Sequence, residues 1–231
     1  MGPIVCQSGS SKQRNNVMVM TFLKSLKQKE VNKNNMEVKQ KLSLILILSG
    51  KRKSGKDFIA QLIHERYRPN SCIIRLSAPL KEQFAKENEM NFTELLSSSE
   101  YKEMCRAKMI TWGEEQRKQN LSVFCELATK DKYDIPIWII SDARRKTDIL
   151  YFQTKYSDIV KTVRITADMS VRQSRGFNFV PGIDDAESEC GLDDIEDWNF
   201  KVINNNREED KLETQLALIF ESLNKYTNKV S

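Results

Sequence analysis

The chain has 231 residues, 39% hydrophobic and 30% charged, which allows one medium-sized core with appendages and no apolar run long enough to cross a membrane. Its net charge of +5 resides in residues 1–40, where seven Lys/Arg face Glu30 and Glu37, leaving thirty basic and thirty acidic residues beyond them. The basic balance is therefore no sign of a nucleic-acid partner, and five scattered cysteines without a C-x-x-C pair exclude a zinc framework and fit reduced thiols in the cytosol.

Residues 1–40, rich in Asn, Lys, Gln and Ser, read as a disordered basic extension. Val17 to Leu23 is too short and too poorly framed for a secretory signal, and a mitochondrial presequence reading rests on Arg14 as its single arginine. Gly2 is followed by Pro3, with Cys6 where a myristoylation site expects Ser or Thr. Met36 opens a segment leading straight into the first strand, so a start there would also yield the domain 41–231.

The apolar run Leu44 to Leu48 predicts a buried strand that delivers the backbone into Gly50-Lys-Arg-Lys-Ser-Gly-Lys56. This is the G-x-x-x-x-G-K spacing, in which a glycine-rich turn aims backbone N–H groups at phosphate oxygens, a helix N-terminus adds its dipole, and the lysine reaches the terminal phosphates. Lys51, Arg52, Lys53, Ser54, Gly55 and Lys56 are thus candidate phosphate-binding residues. Asp57 stands where most such loops carry a magnesium-binding Ser or Thr; its carboxylate either holds Mg²⁺ through water or offsets the helix dipole.

A helix from Asp57 to Tyr67, a strand at Cys72–Leu76 and helices from Ala78 to about Lys130 follow, with Ser77 expected to cap the helix that Pro79 begins. Ile135–Ile140 predicts a strand with Pro136 at its start, then a turn and a helix over Thr147–Tyr156. A strand at Ile159–Ala167, a short helix at Ser170–Arg175, a strand at Phe200–Ile203 and a closing helix at Glu208–Leu223 complete the chain. Repeated β-then-α units predict an α/β fold, a parallel sheet with helices on both faces whose ligands sit beyond the carboxyl ends of the strands.

Cations gather at that edge: Lys81 after the second strand, Lys102, Arg106 and Arg117 in the helical insert 77–130, and Arg144 and Arg145 after the strand ending at Ile140. Singly, each is ordinarily a solvated charge; together they suit phosphate or carboxylate capture. Asp142 occupies a Walker-B-like position, able to hold magnesium or to cap a turn. Residues 170–194, with Arg172, Arg175, Pro181-Gly182 and the acidic run 184–189, read as a lid. The acidic run reads as solvated loop, with pairing to Arg172 and Arg175 or metal binding as the alternatives. His64, the single histidine, suits packing, so no Ser-His-Asp or Cys-His set exists. An acceptor that is already a phosphate needs no strong base, being largely anionic at pH 7; the difficulty becomes repulsion, which cations relieve.

Ser49–Asp57, Leu76–Gln83, Trp112-Gly-Glu-Glu115, Ser141–Arg145 and Pro181–Leu192 closely resemble the animal-type phosphomevalonate kinases, over roughly residues 42–226 and including the Asp57 departure. The resemblance implies a P-loop NTPase-type, nucleoside-monophosphate-kinase-like fold that transfers the γ-phosphoryl group of ATP, with Mg²⁺, to 5-phosphomevalonate, giving 5-diphosphomevalonate in isoprenoid and sterol synthesis. By position it implies that Lys51, Arg52, Lys53, Lys56 and Asp57 serve ATP and catalysis. Lys81, Lys102, Arg106, Arg117, Arg144 and Arg145 would hold substrate and phosphate. Arg164, Arg172 and Arg175 match the arginines around the lid, and Asn204 and Gln215 match adenine-side positions. Glu126 stands where the family's vertebrate members carry arginine. The expected protein is a cytosolic monomer without a nucleic-acid partner or membrane span. Another small-molecule or nucleotide monophosphate kinase, and a nucleotide-gated binding protein using its basic arm, are the alternatives.

Overall fold

The computed structural model describes residues 42–96, 100–205 and 211–227, so the extension 1–40 lies outside the described residues. Five strands form one parallel sheet: β1 (Leu44–Ser49), β2 (Ser71–Ile74), β3 (Ile137–Ile140), β4 (Val160–Thr166) and β5 (Phe200–Ile203), in the order β2-β3-β1-β4-β5. Register pairs Leu44 with Ile137 and Ile45 with Val160, so all the strands present their carboxyl ends at one edge. Every residue of β1 is buried, as expected of a central parallel strand covered on both faces.

Side-chain alternation along β1 divides the core in two. Leu44, Leu46 and Leu48 pack with Ile59 and Ile63 of α1 (Lys56–Tyr67) and with Leu216, Ile219 and Leu223 of the closing helix, Leu212–Thr227. Ile45 and Ile47 face the other way, onto Trp138, Phe152 and Tyr156. The residues between β2 and β3 form α2 (Ser77–Glu87), α3 (Phe92–Leu96), α4 (Glu100–Gln119) and α5 (Val123–Thr129). Phe84, Leu95, Cys105 and Met109 give this insert a core of its own beside the sheet edge. The remaining helices are α6 (Lys146–Tyr156), α7 (Met169–Ser174), α8 (Glu187–Cys190) and α9, the closing helix already described.

Two local expectations need correction. Ser77 does not cap α2 but begins it, and the capping oxygens come from across the sheet: Asp142 accepts the N–H groups of Leu76 at 2.6 Å and Ser77 at 3.0 Å. Nor does the acidic run 184–189 form a solvated loop throughout. Asp184 is buried against Arg52, and Glu189 pairs with Arg144, neither being an arginine of 172–175. His64 packs as expected, its Nδ1 2.9 Å from Ser71 Oγ.

Candidate active site

The phosphate loop sits where β1 leaves the sheet, and its shape depends on glycine at two places. A Cβ on Gly50 would lie 2.5 Å from the carbonyl oxygen of Ile165 on the adjoining strand. Gly55 has φ 88°, and a Cβ there would lie 2.0 Å from Asn204 Nδ2. L side chains are strained in that backbone region, so the turn is closed to them on both counts. Ser54 N–H donates to Lys51 O at 3.1 Å, and Ile59 N–H donates to Gly55 O at 3.0 Å as α1 begins. Twelve residues of helix follow, with their N-terminal dipole at the loop.

Side chains from α7, the residue after it and the end of β5 brace the loop's backbone. Arg172 Nε donates to Arg52 O at 2.8 Å while its guanidinium lies 4.0 Å from the centroid of the Phe177 ring. Arg175 donates to Lys53 O at 3.3 Å and to Asn204 O at 2.8 Å, and buried Asn204 donates to Ser54 O at 3.0 Å. Gln215 is engaged elsewhere, its amide bonding both backbone groups of Ile203 at 2.8 and 3.1 Å. Arg164, at the end of β4, reaches Ser49 Oγ at 3.0 Å and shares Asp193 with Lys51, at 2.6 and 2.5 Å. Burial opposes ionisation of Asp193, but the hydrogen bonds from Lys51 and Arg164 prevail and hold its carboxyl below the usual range.

One cleft of about 370 Å³ joins the loop to α2, α4 and the segment Ile183–Glu189. Arg52, Lys53, Lys56, Lys81, Arg106, Arg117, Arg144 and Arg145 line it, against Asp57, Asp142, Asp148 and Glu189. Two of those four carboxylates are spent on backbone, Asp142 as above and Asp148 on the N–H groups of Arg144 and Arg145, both at 3.1 Å. With eight basic side chains against four carboxylates, the cleft is strongly cationic, as a site for polyanions requires. Burial, and next the nearby Arg144, push the Lys56 ammonium below the ordinary lysine range. Burial likewise lowers Arg144 and Arg145, for which neighbouring carboxylates compensate in part.

The cations are held in place by partners that spacing does not reveal. Glu114 of the Trp112–Glu115 motif pairs with Arg145. Arg117 lies 3.5 Å from Asp148 and 4.8 Å from the Phe124 ring centroid. Gly113 lets Leu80 of α2 pack against α4, since a Cβ would meet Leu80 Cδ1 at 2.8 Å. Thus the structure gathers Arg52, Lys53, Lys56, Asp57, Lys81, Arg106, Arg117, Asp142, Arg144 and Arg145 into one cleft. A smaller depression on the loop's other side joins Lys51, Lys53, Ser54, Gly55, Lys56 and Asp57 with Arg175. Arg164, Asn204 and Gln215 line neither, and the Lys102 side chain lies outside the described residues. Glu126 is exposed and accepts from Asn120 Nδ2 at 3.1 Å. Asp184 and Glu189 belong to the acidic run 184–189, but their partners Arg52 and Arg144 lie too far along the chain for any periodicity to connect them. Asp148 was not among the candidate residues, although its bonds to the N–H groups of Arg144 and Arg145 span only four and three residues, a local capping pattern.

The residues fit a magnesium nucleotide. Ser54 Oγ in the loop is buried without a hydrogen-bond partner, and a helix N-terminus and three lysines converge beside it. Among the described residues no cluster of three His, Cys, Asp or Glu forms a protein-only metal site. Magnesium typically takes only one or two carboxylates and otherwise phosphate and water, so Asp57 and Asp142 suffice for such a role.

The phosphomevalonate kinase family model matches residues 48–158. Phosphomevalonate kinase of Drosophila melanogaster is 39% identical over 171 residues, covering 72% of this chain and 90% of that one. Among solved structures, a gluconokinase from Sinorhizobium meliloti overlays with a TM-score of 0.44 and 14% identity over 79% of this chain and 97% of that chain, too remote a likeness to bear on function.

Proposed function

Because the chain belongs to the phosphomevalonate kinase family, phosphorylating phosphomevalonate in the mevalonate pathway, we propose that Mg·ATP and this acceptor meet in the cleft between phosphate loop, insert and lid. The observation that carries this reading is the convergence of a glycine-closed phosphate loop and a second set of arginines on one 370 Å³ space. An ATP-binding module alone needs only the first.

Mg·ATP, when bound, would supply the phosphoryl group to be transferred, and the cation would offset its charge. In our reading Lys51, Lys53, Ser54, Gly55 and Lys56 hold the nucleotide's phosphates, and Asp57 and Asp142 orient the hydrated metal. Asn204, Arg172 and Arg175 act on the nucleotide chiefly by fixing the loop's carbonyls, with Arg175 also facing the phosphates from the lid side. Gln215 keeps the adenine-side end of β5 in place. Arg144 and Arg145 hold the acceptor's phosphate, while Lys81, Lys102, Arg106 and Arg117 receive its remaining charge. Arg164 serves the acceptor side through the Asp193 hub. No residue need act as a strong base, because the acceptor oxygen is already largely anionic; cations relieve the repulsion of two polyanions and exclude water as the lid packs down.

We also read residues 1–40 as a separate basic extension, 77–130 as the acceptor-binding insert and 170–194 as the lid, in a cytosolic monomer. Unpaired cysteines at 72, 105, 125 and 190 support a reducing compartment. The test is a split in steady-state constants. Arg106→Ala should raise the KM for phosphomevalonate roughly tenfold, the effect of losing about 1.4 kcal/mol of uniform binding, with the KM for ATP unchanged. An increase confined to ATP would reverse the assignment of the two subsites.

A further inference from the structure

Of the cleft's four carboxylates, Asp142 and Asp148 serve backbone N–H groups and Asp57 belongs to the phosphate loop. Glu189 alone comes from the lid. It crosses to the sheet edge and pairs with Arg144 Nη1, which also donates to the Ser188 carbonyl at 3.1 Å. The Glu189 side chain is only 4% exposed, whereas that of Arg144 is 30% exposed. A carboxylate so withdrawn from water is tolerated only while its cationic partner stays in place. Carboxylate and phosphate oxygens take the same N–H directions of a guanidinium, so both cannot occupy Nη1 at once.

We propose that Glu189 sets the affinity of the acceptor subsite: its carboxylate is a built-in stand-in for a phosphate oxygen on Arg144, and an anion that takes Nη1 must displace it. The proposal rests on the reading of Arg144 as the acceptor's phosphate cation. The latch penalises every anion by the same competition. A phosphate dianion, bidentate and supported by Arg145, overcomes it; a singly charged carboxylate has less with which to do so. Asp184 works differently. Both its oxygens sit on Arg52 Nη1, at 2.9 and 3.0 Å, and one also accepts the Val180 N–H at 2.8 Å, which makes it part of the lid's own fold.

The test uses the full chain and inorganic phosphate as probe. Glu189→Gln keeps the size and removes the charge; Glu189→Ala removes the contact. Both should bind phosphate, measured by calorimetry, about three- to tenfold more tightly, the factor expected if the latch is closed roughly 70–90% of the time. The KM for phosphomevalonate should fall by a similar factor and that for ATP should not move. Glu196→Gln, which removes an exposed charge just beyond the lid, should change neither. No tightening in either Glu189 variant overturns the proposal, as does equal tightening in Glu196→Gln, which would reveal only a general charge effect. Arg144→Ala separates the two readings. If it leaves phosphate affinity unchanged, the assignment of Arg144 fails; if it weakens phosphate while the Glu189 variants do not tighten, the latch alone fails.

Discussion

Lys56 is held in an environment that disfavours its charge until phosphates arrive, since burial and Arg144 both act against the ammonium. The sign of the pH effect follows. With its pKa lowered, Lys56 loses its proton at a lower pH than an ordinary lysine, so nucleotide affinity should begin to fall earlier on the alkaline side. Anionic phosphates favour the charged form, so the alkaline limb of kcat should lie at higher pH than that of kcat/KM for ATP. Coincident limbs would count against Lys56 as the phosphate lysine. Arg144 supplies a complementary prediction. Its bonds run to Ser188 and Glu189, so Arg144→Ala should lower kcat/KM about 10³-fold and also lower the melting temperature by stranding the buried Glu189 carboxylate, whereas Arg144→Ala combined with Glu189→Gln should keep the kinetic loss with the melting temperature nearly unchanged. Asp148, buried to 1% and holding Arg117 together with the Arg144–Arg145 backbone, should cost about 3 kcal/mol in urea unfolding when changed to Ala.

At the scale of elements, the phosphate loop was legible because glycine spacing after a buried run has one physical use, and β5 was read to the residue because Phe200–Ile203 is a short apolar alternation between polar turns. Gly55→Ala should abolish nucleotide binding, combining backbone strain with a collision against Asn204; isothermal titration with ATP would show it. What the sequence withheld was partnership across long separations. The cap of α2 comes from Asp142, 65 residues beyond Ser77 in the chain, and no local rule prefers that oxygen to the Ser77 hydroxyl. The acidic lid segment likewise looks solvated by composition, yet Asp184 meets Arg52 at a separation of 132. Cation types and positions were readable; the carboxylates that aim them were not.

On the scale of the whole molecule, the order β2-β3-β1-β4-β5 places the loop of β1 between the ends of β3 and β4, with the helices after β2 and the segment after β4, our proposed lid, on either side of it. Parallel β-α repetition in the sequence made the sheet predictable, because the two-sided burial of the central strands β1 and β3 demands helices on both faces. The strand order itself follows from packing that no single segment encodes. This arrangement brings the phosphate loop and a second set of arginines onto one cleft, which is what the proposed pair of polyanion subsites requires. The most direct test is ADP release by the full chain with Mg·ATP, comparing 5-phosphomevalonate with mevalonate, AMP, UMP and no acceptor. The account predicts turnover with 5-phosphomevalonate alone; preference for a nucleotide acceptor, or ATP binding without acceptor-dependent ADP release, would contradict it.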